Sequence, residues 1–190
     1  MSSHHIVREN QEPALLIEDL FLIDEEDLGQ LLEWSPTIVI ENDMLDPLNA
    51  RGYKFDIVFS QTPADPVQEN LKVIPYSNNF LRTAIEYLIE HDYKAVNIIT
   101  DQISLADYHR YLDLINVVLL AKGMRYYFAT TGFTKWKAGG EQLKIDSQNE
   151  EITTEGLRKI GDDLYEMEKE GLFKLGFSKS KYILIGETIS

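Results

Sequence analysis

The run Ala95-Val96-Asn97-Ile98-Ile99-Thr100 stops abruptly at Asp101-Gln102. Short, nearly continuous apolar runs of this kind suit strands covered on both faces, the pattern of a buried parallel sheet. Four earlier stretches read the same way: Ala14 to Ile17, Thr37 to Ile40, Phe55 to Phe59 and Leu71 to Ile74. Between them the spacing predicts helices over Glu25 to Glu33, Asp43 to Arg51, Asn79 to His91 and Leu105 to Lys122. In the third, Phe80, Ala84 and Leu88 align at i, i+4 with Leu81 and Ile85 beside them; in the fourth, Tyr108, Leu112, Ile115 and Leu119 share one side. Strands alternating with helices imply a mostly parallel sheet with crossover helices.

The pattern changes after Gly123. Tyr126 to Thr130, Phe133 to Trp136, Gln142 to Ile145, Leu172 to Phe177 and Tyr182 to Ile185 read as short strands between Gly, Asn, Ser and Lys turns. An all-β second part is the simplest account, with one helical turn or more the open alternative over Asp162 to Glu170. The expected fold class is therefore α/β, an open and mostly parallel sheet flanked by helices over residues 1–124. A smaller all-β, sandwich-like domain is expected over 125–190.

Composition narrows the function classes. A hydrophobic content of 44% in 190 residues supplies a sizeable core. The formal charge of −14 disfavours nucleic-acid backbones and anionic membranes. The basic residues are scattered apart from Lys135, Lys137 and Lys144, and the acidic runs Glu18 to Asp27 and Asp162 to Glu170 read as solvated faces. Apolar stretches such as Ile115 to Ala121 are too short to span a bilayer, and the polar opening Met1 to Pro13, including His4 and His5, is not a secretory signal. With no cysteine there is no disulfide and no thiolate site, so a cytoplasmic location is expected.

Ligands of an open parallel sheet bind beyond the carboxyl ends of its strands. Those ends read Glu18-Asp19, Glu41-Asn42-Asp43, Ser60-Gln61-Thr62, Tyr76-Ser77-Asn78-Asn79 and Asp101-Gln102. No glycine occurs from Tyr53 to Lys122, and neither a P-loop nor a G-x-G-x-x-G stretch exists, so phosphate-cradling loops of the usual kinds are excluded. Asp43, Asp101 and Asp107 could converge as magnesium ligands. Each also has a structural role that is favoured: Asp43 in a first helical turn, Asp101 in a loop, Asp107 with Ser104 in a capping arrangement. Asp107 and His109 point apart on a helix, and no serine sits in a nucleophile elbow. Trp136, between Lys135 and Lys137, is expected to pack into the β core rather than stack on a ligand.

Several segments resemble the thiamine pyrophosphokinase family. They are Ser3 to Glu9 followed by Pro13 to Ile17, Leu31-Leu32-Glu33-Trp34-Ser35-Pro36, Gly52 to Val58, Ala84-Ile85-Glu86-Tyr87-Leu88 and Glu151 to Leu157. The resemblance implies an α/β ATP-handling domain followed by a β-sandwich, in a homodimer that binds thiamine near its interface. The reaction it implies moves pyrophosphate from ATP to the thiamine hydroxyl with Mg²⁺.

The family's working motifs are altered here. Its Asn-Gly after the first strand falls on Glu18-Asp19, and its Asp-Gly after the second on Asn42-Asp43. The magnesium-binding Gly-Asp-x-Asp falls on Ser60-Gln61-Thr62-Pro63. K-x-T-D-L becomes Ser77-Asn78-Asn79-Phe80-Leu81, with Phe80 in place of an aspartate. The Gly-[GR]-Arg-x-Asp-His motif becomes Ile103 to Tyr108, keeping only Asp107; Ser-Asn-Glu becomes Leu164-Tyr165-Glu166. The resemblance therefore implies Asp107 and Asp43 as vestigial catalytic and metal positions. It also implies Asn42, Asp101, Asn78 and Asn79 as the nucleotide and magnesium cleft, and Glu166 and Tyr165 as substrate positions.

Phosphoryl-type transfer depends on positioning and charge stabilisation, so these losses lead to the expectation of an inactive or severely impaired chain. A small-molecule ligand or an assembly role would then remain, in a homodimer without nucleic-acid or membrane partners. The alternative is a working enzyme with a rearranged site built from Asp43, Asp101, Asp107 and Glu41. Mg²⁺ and ATP are expected as cofactors only on that alternative.

Overall fold

The structure, a computed structural model, describes residues 12–34, 37–62, 71–147 and 150–189. The opening segment with His4 and His5, Ser35-Pro36 and Pro63 lie outside them. The chain divides into two compact units. The first runs to Asp101 and resumes at Tyr111–Lys122; the second takes Gln102–Arg110 and the chain from Gly123 onward.

The first unit holds β1 (Ala14–Ile17), α1 (Glu25–Trp34), β2 (Ile38–Glu41), α2 (Leu45–Ala50), β3 (Ile57–Ser60), β4 (Lys72–Pro75), α3 (Phe80–Glu90), β5 (Ala95–Ile99) and β6 (Asn116–Ala121). Its six strands lie in the order β6-β5-β1-β2-β3-β4, every pair parallel. All of β1 and β3 is buried, as their unbroken apolar sequences require. The chain runs outward from β1 to β4 and then returns to pair β5 on the other flank of β1. The strand order therefore reverses between β1 and β5.

Local signals set the helix ends. Asn79 caps α3, its side-chain oxygen accepting from the Arg82 N–H at 2.7 Å, and Phe80, Leu81, Ala84, Ile85 and Leu88 bury one face. Beyond its last turn the Tyr93 N–H reaches the Leu88 carbonyl and the Asp92 N–H the Ile89 carbonyl, both at 3.0 Å, with Asp92 at φ 63°. The α2 terminus repeats this closure, with Gly52 at φ 73° in the left-handed position.

The helix expected over Leu105 to Lys122 is not formed. Only α4 (Leu105–Tyr108) is helical, capped by Ser104, and β6 occupies the far half. The apolar residues of Ile115 to Ala121 satisfy helical and extended spacing alike. Parallel pairing with β5, from Ala95–Asn116 to Ile99–Leu120, decides for the strand.

The second unit adds β7 (Met124–Ala129), β8 (Thr134–Lys137), β9 (Gln142–Asp146), β10 (Thr153–Glu155), β11 (Leu157–Lys159), β12 (Leu164–Met167), β13 (Gly171–Gly176) and β14 (Ile183–Thr188). Five of these strands pair antiparallel in the order β11-β12-β9-β14-β7, and three in the order β10-β13-β8. Asp162 to Glu170 thus contains strand β12 rather than a helix. Leu143, Ile145, Tyr165 and Ile185 from one set share a core with Phe173 and Leu175 from the other. Glu187, 4% exposed, links the two sets: its carboxylate meets Lys135 Nζ at 2.6 Å and Lys137 Nζ at 3.2 Å, both lysines lying on β8. Trp136 does not enter the core. It is 59% exposed, opposite the 68% exposed Leu172 on β13, because Lys135 and Lys137 take the inward positions of that strand.

Candidate functional site

The carboxyl ends of the parallel strands, and above all the reversal between β1 and β5, are where such a sheet binds ligands. Glu18 follows β1, and its backbone N–H donates to the Ile99 carbonyl at 3.0 Å. The hydroxyl of Thr100, fully buried at the end of β5, donates to Glu18 Oε2. A carboxylate is thereby seated at the reversal point, held by the strand on its other side.

A second set of contacts ties the ends of β2, β3 and β4. Tyr76, just past β4, donates its hydroxyl to Glu41 Oε1 at the end of β2, and Gln61 Nε2 past β3 donates to the Tyr76 oxygen at 3.1 Å. Burial, then the hydrogen bond to Glu41, pushes the Tyr76 phenol up to about 12, so it is a neutral donor at neutral pH. Ser60 Oγ donates to the Thr62 carbonyl at 2.6 Å. Polar groups at these mouths are bonded to one another, an arrangement opposite to an array of N–H donors facing an anion.

Each residue singled out from sequence can now be placed. Asn42 is half-buried and Asp43 exposed in the 3-10 turn Asn42–Met44. Asp101 and Asn78 are exposed, and Asn79 is the α3 cap. Asp107 is exposed on α4, which folds with the second unit rather than with Asp43 and Asp101. Phe80, standing where a metal-binding aspartate was expected, is 6% exposed, with its ring centroid 5.8 Å from Phe59 and 6.2 Å from Tyr76. Tyr165 is a core residue of the second unit, and Glu166 pairs with Arg158 at 2.7 Å. Among the described residues no three His, Cys, Asp or Glu side chains gather to hold a metal ion. Of the groups at the strand ends, the Glu41 carboxylate is bonded to the Tyr76 phenol and that of Glu18 to the Thr100 hydroxyl, and Phe80 is part of the aromatic core.

The second unit carries a cleft of about 290 Å³ lined by Ile103, Tyr126, Lys144, Asp146, Asp163, Leu184 and Gly186. The cross-strand row Tyr126–Gly186–Lys144 forms part of its wall. A Cβ on Gly186 would lie 2.7 Å from the Tyr126 ring, so glycine is what lets that ring lie across β14. Tyr108 from α4 packs on the same strand system, 5.8 Å from Phe128.

Sequence reading named Glu18, Glu41, Gln61 and Tyr76 as strand ends but missed their pairing. Partners so far apart in sequence leave no local signal. The buried Glu187 and the carboxylate of Glu150, both inside strand-rich polar sequence, were missed for the same reason.

The architecture places the chain in the class of mixed α/β proteins with a large, mostly parallel sheet plus antiparallel strands. No protein-family model and no curated protein matches the sequence. Solved structures do match in shape. Thiamine pyrophosphokinase from Bacillus subtilis is 16% identical with a TM-score of 0.66, covering 94% of this chain and 100% of that one. Thiamin pyrophosphokinase from Geobacillus thermodenitrificans is 11% identical with a TM-score of 0.67, covering 93% and 97%. Thiamin pyrophosphokinase from Candida albicans is 12% identical with a TM-score of 0.62, covering 95% and 90%. The chain has the thiamine pyrophosphokinase fold.

Proposed function

We propose that this protein is a divergent thiamine-pyrophosphokinase-like chain that has lost, or nearly lost, pyrophosphate transfer and acts by binding a small molecule or by assembling as a homodimer. The second unit is read as the sandwich-like domain of that fold. The observation that carries the proposal is Phe80, buried between Phe59 and Tyr76 at a position where the resemblance calls for a metal-binding aspartate. Mg²⁺ bound to nucleotide needs hard, charged oxygen donors at the strand ends. Here those ends offer Gln61, the tied Glu41 and an aromatic core. The rearranged enzyme would need Asp43, Asp101, Asp107 and Glu41 to share an ion, and Glu41 is already engaged by Tyr76.

Calorimetric titration with Mg·ATP and, separately, with thiamine tests the reading. Silence towards both would favour an assembly role. Binding of either without turnover would identify the small molecule, whereas steady turnover of Mg·ATP and thiamine to thiamine diphosphate would contradict the proposal.

A further inference from the structure

The three lysines grouped in the sequence meet different ends in the second unit. Lys135 and Lys137 face the buried Glu187 carboxylate. Lys144 is exposed, lines the cleft of that unit and forms no ion pair among the described residues. Asp163, on the same cleft, is likewise exposed and forms none among them. Strand register lays out the lining. Gly186 pairs with Tyr126 on one side and with Lys144 on the other, and Leu184 pairs with Asp146. Alternate residues of a strand share a face, so Lys144 with Asp146 and Gly186 with Leu184 look into one space. The Asp163 carbonyl accepts from the Ile145 N–H at 2.8 Å, which sets Asp163 beside that part of β9.

The charged groups therefore gather on the β9 side, and the Tyr126 ring, given room by Gly186, stands on the β7 side with Leu184 between. A cleft of about 290 Å³ is at the small end of ligand sites, which begin at roughly 300 Å³. Its chemistry is divided between an end that carries both signs of charge and an end that is aromatic and apolar. A free phosphate there would meet two carboxylates for one lysine, and a simple cation would meet the Lys144 ammonium. A zwitterion complements both signs at once.

We propose that this cleft is a binding site for a small zwitterion with an aromatic tail, of the aromatic α-amino-acid class. Lys144 takes its carboxylate, Asp163 with Asp146 beside it takes its ammonium, and Tyr126 and Leu184 take its ring. The inference rests on the small-molecule reading above and names the site and the ligand class.

The test is calorimetry without ATP or metal, using three ligands. They are L-phenylalanine, phenylpropionate, which lacks the ammonium, and phenethylamine, which lacks the carboxylate. The natural chain is expected to bind L-phenylalanine saturably, at least about tenfold more tightly than either analogue, because each analogue forfeits a charge-assisted bond. Lys144→Met and Asp163→Asn separate the two ends, and thermal melts establish that both variants fold. In Lys144→Met the advantage of L-phenylalanine over phenethylamine should vanish. In Asp163→Asn its advantage over phenylpropionate should vanish. No saturable binding of L-phenylalanine, an analogue bound as tightly by the natural chain, or unchanged preferences in both variants would overturn the inference. So would thiamine binding that Asp163→Asn abolishes and Lys144→Met leaves intact, since the cleft would then be a cation site. Turnover of Mg·ATP and thiamine would instead sink the reading of an inactive chain, whatever L-phenylalanine does.

Discussion

Glu150 shows how completely a single carboxylate can be enclosed by backbone. Its oxygens accept the N–H groups of Ser178, Lys179 and Ser180 at 3.0, 2.8 and 2.7 Å. Burial alone would raise this carboxyl; the three backbone donors and the Ser180 side chain outweigh it and hold it at about 2. An unfolded glutamate titrates near ~4.3, so the folded chain binds this proton less tightly than the unfolded one. The contribution to stability is fully present above the unfolded value and disappears as pH falls through about 2. Glu150→Gln is therefore expected to lower the melting temperature by several degrees at pH 7. The gap to the natural chain should close steadily between pH 4.5 and 2, as thermal melts across that range would register. A gap that stayed constant with pH would mean that charge is not what holds the 178–180 turn.

At the scale of elements, α3 was legible because every local preference agrees: a capping asparagine, one apolar face, and a polar stop at His91-Asp92. Asn79→Ala removes the cap bond to Arg82 and should destabilise the chain by ~1 kcal/mol in urea unfolding, without disturbing the buried face. The five parallel strands from β1 to β5 were equally readable from their unbroken apolar runs. The segment Leu105 to Lys122 was not. Its helical face, Tyr108 with Ile115 and Leu119, is buried just as a helix would require, but Tyr108 belongs to the second unit and Ile115 and Leu119 to the first. Periodicity reports which residues avoid water, not which neighbour covers them. Trp136 fails for a related reason. A strand has two faces, and here the lysines flanking the tryptophan were the ones needed inside, against Glu187.

For the whole molecule, the second unit depends on charge in its interior as well as on apolar contact. Lys137 is 12% exposed at its side chain, and although burial works against its charge, bonds to Glu141 and Glu187 raise its pKa. Glu187→Gln would leave Lys135 and Lys137 poorly compensated and should cost about 2–4 kcal/mol in denaturant unfolding. The candidate site was legible only in its losses. Those losses are what the family resemblance implies, whereas the contacts of Glu18 with Thr100 and of Glu41 with Tyr76 exist only once distant strand ends are side by side. We propose that the fold persists here without phosphoryl transfer. The most direct measurement is thiamine diphosphate formation from ATP, thiamine and Mg²⁺ by the purified chain at stoichiometric concentration, beside the Bacillus subtilis enzyme as a positive control. Product no higher than in a protein-free blank is expected. Sustained multiple turnover by this chain would contradict it.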